Sequence, residues 1–256
     1  MTLFERPWTL ETVLTILPLD RLEGAVGLPL LMALLGTLIG HLRPLGVRGH
    51  SHLQHLTAGI LFSVVAVEIL PEVIHRQTPL QLSLGFAAGV SVMLLLARLS
   101  HPPSLRDGRG VWPLTLMMGT AIDLLLDGLI LSFTYETVVT AGRTLSLALA
   151  VELLTVSLTL AATLKRRRIG FLPSLLAAAL IQGCLALGAF GGVWMLPRLP
   201  DPSRDLILSF GLAALLFLVT EELLVEPHRE TDAPLSTVFF FAGFLVFLLI
   251  GQQHAT

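Results

Sequence analysis

Two aspartates, Asp123 and Asp127, stand one helical turn apart in the run GTAIDLLLDGLILSF at 119–133. Residues at i and i+4 share one face of a helix. Two ionised carboxylates that close repel in a low dielectric, so either one takes a proton or a cation sits between them. No Lys or Arg occurs between Arg109 and Arg143. A cation would have to come from outside the chain, and the pair reads as a place to hold one. The competing reading is a protonated pair hydrogen-bonded to neighbouring helices.

Other polar groups recur at helical spacing. In LSLALAVELLTVSLTLAATL, Glu152, Thr155 and Thr159 fall at i, i+3 and i+7, one polar stripe on an apolar segment. Ser and Thr in such a segment can bond back to their own backbone, but a glutamate there needs another reason. Gln182 in ALIQGCLALG offers a neutral oxygen ligand or an interhelical hydrogen bond. VEILPEV carries Glu68, Pro71 and Glu72; EELLVEP carries Glu221, Glu222, Glu226 and Pro227. Both contain Glu, Ile or Leu, Leu, any residue, Glu. Pro71 would loosen its helix and free a carbonyl. His50, His52 and His55 in GHSHLQH, ahead of the second apolar segment, could collect metal ions or simply be solvated, and the solvated reading is favoured. Cys184 is the single cysteine, so a disulfide framework is excluded.

The elements that must position these groups are membrane spans. The chain of 256 residues is 54% hydrophobic and only 13% charged, against about 25% charged in soluble domains. Its mean hydropathy is +0.82. An apolar run of roughly 17–25 residues spans a bilayer. Eight such segments are expected, at 23–42, 55–74, 80–99, 111–133, 144–164, 174–196, 205–226 and 234–252. The loops are short, so residues 1–256 are read as one all-α polytopic membrane domain. The first residues mix acids with apolar side chains and lack a basic n-region, so no cleavable leader is expected. Trp8, Leu10, Val13, Leu14 and Leu17 could form one face of a short interfacial helix.

All sixteen Lys and Arg residues fall in loops or at segment edges. The loops after spans 1, 3, 5 and 7 hold Arg43, Arg48, Arg98, Arg106, Arg109, Lys165, Arg166, Arg167, Arg168 and Arg229. The other side holds Arg6, Arg21, Arg76, Arg143, Arg198 and Arg204. Lys and Arg concentrate on the cytoplasmic side, so both termini are placed outside the cytoplasm. The acids are distributed otherwise. An acid at the bilayer centre costs about 2.5–3.5 kcal/mol on insertion scales, or about 5–7 kcal/mol for two. The apolar residues of span 4 return only about as much, at roughly 0.3–0.6 kcal/mol each. Span 4 is therefore expected inside the bundle. Span 2 runs outward and span 7 inward, so Glu68 and Glu72 lie toward the outer mouth, and Glu222 and Glu226 toward the inner. Similar elements of opposite direction are the mark of an inverted-repeat transporter. GFAAG (Gly85, Gly89) and GAFGG (Gly188, Gly192) fit a close-packing pattern, expected within the bundle; a homodimer is left open.

In its eight spans, its external termini and its polar groups in spans 4 and 5, the chain resembles the ZIP family of divalent metal ion transporters. That family's fourth helix carries His-Asn-x-Pro-Glu-Gly, where this chain has Asp123-Leu124-Leu125-Leu126-Asp127-Gly128. Its fifth carries His-Glu-x-Pro-Glu-Gly, where Glu152 takes the opening place and Leu153, Thr155, Val156 and Ser157 follow. Leu70-Pro71-Glu72 matches a Leu-Pro-Glu ending of the second helix, and Glu222 with Glu226 matches an acid pair in the seventh. An acid in the sixth falls at Gln182. The resemblance implies an inverted 3+2+3 arrangement, in which helices 1–3 and 6–8 are related by a pseudo-twofold axis with 4 and 5 between. It also implies metal uptake into the cytoplasm, with Asp123, Asp127, Glu152 and Gln182 as ligands and a bacterial inner membrane as the setting. The missing Asn and second Glu point to one metal position rather than two. The missing histidines favour a broad preference among zinc, manganese, iron and cadmium over zinc alone.

Two other classes compete. A proton- or sodium-coupled carrier of another solute would use the same acids as a relay. The EELLVE run is similar to the Glu-Glu-x-x-x-Arg signature of glutamate-dependent membrane proteases, but Glu226 stands in the place of the arginine. Aspartyl intramembrane proteases need aspartates on two helices, and here both are on one. The expectation is a transporter rather than an enzyme, with lipid and the ion as partners and no nucleic acid.

Overall fold

The computed structural model describes residues 21–43, 46–100, 112–220 and 234–252. They form helices, with no strand among the described residues. Helix α1 is Leu22–Leu42. Helix α2 opens as Val47–Val64, passes through one π-helical turn at Val65–Ile69 and ends as Leu70–Arg76. Then follow α3 (Pro79–Ser100), α4 (Leu114–Thr137), α5 (Val139–Arg166) and α6 (Phe171–Met195). A 3-10 turn at Leu196–Arg198 leads to α7 (Asp201–Phe217), and α8 is Pro234–Gln252. Among the described residues, seven helices are long and apolar enough to cross a membrane, and Leu235–Ile250 in α8 is a shorter apolar helix.

The breaks have local causes. Only Val138, in extended backbone, separates α4 from α5, so the two helices carrying the acids are joined by the tightest link among the described residues. Arg168 takes a left-handed φ of 62° where the chain turns from α5 toward α6. Within α2, Pro71 has no N–H to donate and its ring crowds the preceding turn. The helix widens just before it, and Leu70 N–H bonds to Val65 O, five residues back. That π turn contains Glu68.

Four helix pairs dominate the packing: α1 with α5, α4 with α6, α2 with α8, and α3 with α7. Helix α5 also meets α2 and α4. It is the most enclosed of the long helices, with 67% of its apolar window buried against 17% for α3. One apolar cluster draws buried residues from every helix, including Val26, Leu61, Met93, Leu131, Leu149, Leu185, Leu212 and Phe247. Both glycine motifs work inside the chain: Gly85 and Gly89 meet α7 at Leu206 and Phe210, and Gly188 meets α4 at Leu125. A Cβ on Gly128 would come within 2.0 Å of Leu185 O. The glycine next to Asp127 thus lets α4 lie directly on α6.

Two expectations need correction or restriction. The histidine segment is not a solvated loop, because α2 begins at Val47 and carries His50, His52 and His55 within it. His55 is buried, since helix propagation continues the apolar face of α2 back through these residues. Glu221, Glu222, Glu226 and the N-terminal interfacial helix lie outside the described residues.

Candidate metal centre

Asp123 and Asp127 project from α4 and Glu152 from α5. One carboxylate oxygen from each lies within 4.8 Å of the others. Oxygens on opposite sides of an ion, with bonds of about 2.0–2.6 Å, are themselves about 4–5 Å apart. The three acids can therefore close on a single cation with little movement. Asp127 is 3% exposed and Glu152 1% exposed, while Asp123 is partly open. Helical geometry explains the pairing on α4, and the one-residue link to α5 explains why Glu152 meets it. Asp127 lies ten residues before the end of α4 and Glu152 thirteen after the start of α5, so an antiparallel hairpin brings them to similar depth. Leu124 and Leu153, 1% and 0% exposed, seal the surroundings with apolar surface.

Gln182 is buried on α6, and its amide nitrogen donates to Ser157 Oγ on α5 at 2.9 Å. The interhelical hydrogen bond expected of it is present, and it ties α6 to α5 one turn from Glu152. Thr155 and Thr159 do bond back to their helix, each donating to the carbonyl four residues earlier at 2.9 Å. They also reach α2: Thr155 Oγ1 is 3.1 Å from Thr57 Oγ1, and Thr159 Oγ1 is 3.1 Å from His50 Nδ1. Of these α2 partners, His50 stood out in the sequence only as one of the GHSHLQH histidines, and Thr57 gave no signal beyond its type.

Glu68 sits half-buried in the π turn of α2, well separated in sequence from the α4–α5 acids. Glu72, one turn later, forms an ion pair with Arg76. That arginine lies at the helix end, so this acid has a basic partner supplied by its own helix. Glu68 and Glu72 are not part of the three-carboxylate group.

Chemically, the centre offers hard oxygen donors on two helices that meet in an apolar bundle. Such a site suits a divalent cation, whose charge offsets the cost of burying several carboxylates. Compared with known proteins, the chain matches no family model and no curated relative.

Proposed function

We propose that this chain carries a divalent metal cation across a membrane, through a site formed by Asp123, Asp127 and Glu152. The observation that carries the reading is the convergence of these carboxylates, two of them almost fully buried, between long apolar helices. Acids kept at such depth, facing the bundle, mark ion or proton routes. The amide oxygen of Gln182, whose nitrogen donates to Ser157 beside the site, is the neutral ligand proposed. Glu68 with Glu72, and Glu222 with Glu226, are stations toward the outer and inner mouths.

The arrangement proposed is eight crossings in an inverted 3+2+3 order, as in the ZIP family. The packing supports it. Exchanging α1, α2 and α3 for α6, α7 and α8, and α4 for α5, turns the α1–α5 pair into α6–α4 and the α2–α8 pair into α7–α3. The four dominant contacts map onto themselves, as a pseudo-twofold axis requires. With the Lys and Arg bias, both termini lie outside the cytoplasm of a bacterial inner membrane, and uptake is inward. Oxygen-only ligation favours manganese or ferrous iron alongside zinc and cadmium.

The test is paired: divalent-ion binding by calorimetry in detergent, and uptake into liposomes holding the purified protein. Binding and uptake of at least one of these ions, both lost in Asp127→Asn, support the reading. Uptake of another solute driven by protons or sodium, with no divalent binding, replaces it with the coupled-carrier alternative.

A further inference from the structure

The polar stripe that begins at Glu152 does not end at the carboxylate centre. It continues along α5 as Thr155 and Thr159, on the face that meets α2. There the stripe is matched residue for residue by Thr57 and His50. The two pairs step from mid-bundle toward the end of the molecule where α2 begins and α5 ends.

Counting protons gives one consistent tautomer for His50. A threonine hydroxyl has one hydrogen. Thr159 gives its hydrogen to Thr155 O at 2.9 Å. Its oxygen is then an acceptor, and the contact with His50 at 3.1 Å is a hydrogen bond when Nδ1 carries the ring hydrogen. In a neutral imidazole that leaves the lone pair on Nε2. A ring nitrogen whose opposite N–H is held by an oxygen is how metal-binding histidines are oriented. A conducting route needs sites strong enough to enter and weak enough to leave.

We propose that His50 is a transit ligand, through which a divalent cation passes between the carboxylate centre and the α2-start end of the bundle. The seam between α2 and α5 is the route, and the hydroxyls of Thr155, Thr57 and Thr159 are the oxygens passed on the way. The inference rests on the transport reading above and adds a nitrogen-bearing station that the carboxylate centre lacks.

The experiment uses the full chain in liposomes, with manganese and zinc as probes. Compared are wild type, His50→Gln, Thr159→Val and His75→Ala, the last an exposed histidine at the far end of α2. Uptake should fall by about tenfold in His50→Gln and by less in Thr159→Val, a change on the scale of one lost ligand or hydrogen bond. His75→Ala should match wild type, and calorimetric affinity at the central site should stay within about twofold in all of them. Thr159→Val preserves shape and tests the same station should the histidine variant fold poorly. Wild-type uptake in both His50→Gln and Thr159→Val overturns the inference while the carboxylate centre stands. Central affinity lost with His50→Gln also overturns it, because His50 then belongs to the binding site itself. A wild type that moves no divalent ion overturns the transport reading, and the transit role with it.

Discussion

Asp127 and Glu152 place two carboxylates where water scarcely reaches. Burying an ionised carboxylate costs several kcal/mol unless it is compensated, and on the proposed reading a shared cation supplies part of that compensation. Asp127→Asn keeps the shape and removes one charge. Divalent affinity should fall at least about tenfold, or about 1.4 kcal/mol, and calorimetry at constant ionic strength would read it. An unchanged affinity would remove Asp127 from the ligand set. Asp123→His replaces a hard oxygen by imidazole nitrogen, which suits zinc. Competition among zinc, manganese, iron and cadmium at equal free concentrations should then move toward zinc. The Glu72–Arg76 pair is different in kind: both side chains are partly exposed, and such pairs contribute about 0–1 kcal/mol. Glu72→Gln should leave thermal stability nearly unchanged, so any loss of uptake in that variant reports on the route rather than on folding.

Each helix holds its acids in place through features that are not acidic. On α4, the residue after Asp127 is Gly128, whose added Cβ would meet Leu185 O at 2.0 Å and Ala189 N at 2.7 Å. Backbone atoms cannot swing aside, so Gly128→Ala must push α4 away from α6. Overpacking of this sort costs about 1–3 kcal/mol, and divalent affinity should drop with it as Asp127 shifts. Gly183 on α6 has nothing within 4 Å. Gly183→Ala should be neutral or slightly stabilising, by up to about 1 kcal/mol of helix propensity. Thermal unfolding in detergent separates the two, and equal midpoints would deny the close α4–α6 crossing. On α2, Pro71 and the π turn rotate Glu68 away from a regular helical register, a local irregularity of the type found at functional sites.

Among the described residues four helix pairs dominate the packing, and that property belongs to no single helix. It has a consequence for sidedness. The α4–α5 link at Val138 and the α5–α6 turn at Arg167 lie at opposite ends of α5. In a Cys184→Ser background, cysteines at these two positions should react with an impermeant thiol reagent from opposite sides of a sealed vesicle. Labelling of both from one side would reject α5 as a crossing. The double variant Glu222→Ala with Glu226→Ala tests the inner station in the same vesicles: uptake should slow while the central site still fills. Normal uptake there would reduce the repeated acid motif to a coincidence of sequence.

Hydropathy and acid spacing were enough to recognise apolar helices and to put Asp123 and Asp127 on one face, because both signals are local. A span declares itself by its own composition, and i, i+4 residues share a face whatever surrounds them. The α4–α5 meeting was also within reach, since a hairpin with a one-residue link has few ways to pack. What lay beyond the sequence were contacts between distant segments. Thr57 with Thr155 and His50 with Thr159 join residues 98 and 109 positions apart, and no periodicity within either helix encodes the partner. The start of α2 was misjudged for the same reason: GHSHLQH is polar enough to read as a loop, yet Ser236 on α8 takes up His52 and Thr159 on α5 takes up His50. Polar side chains enter a helix bundle when a neighbouring helix completes their hydrogen bonds, and only the tertiary packing decides which helix is the neighbour.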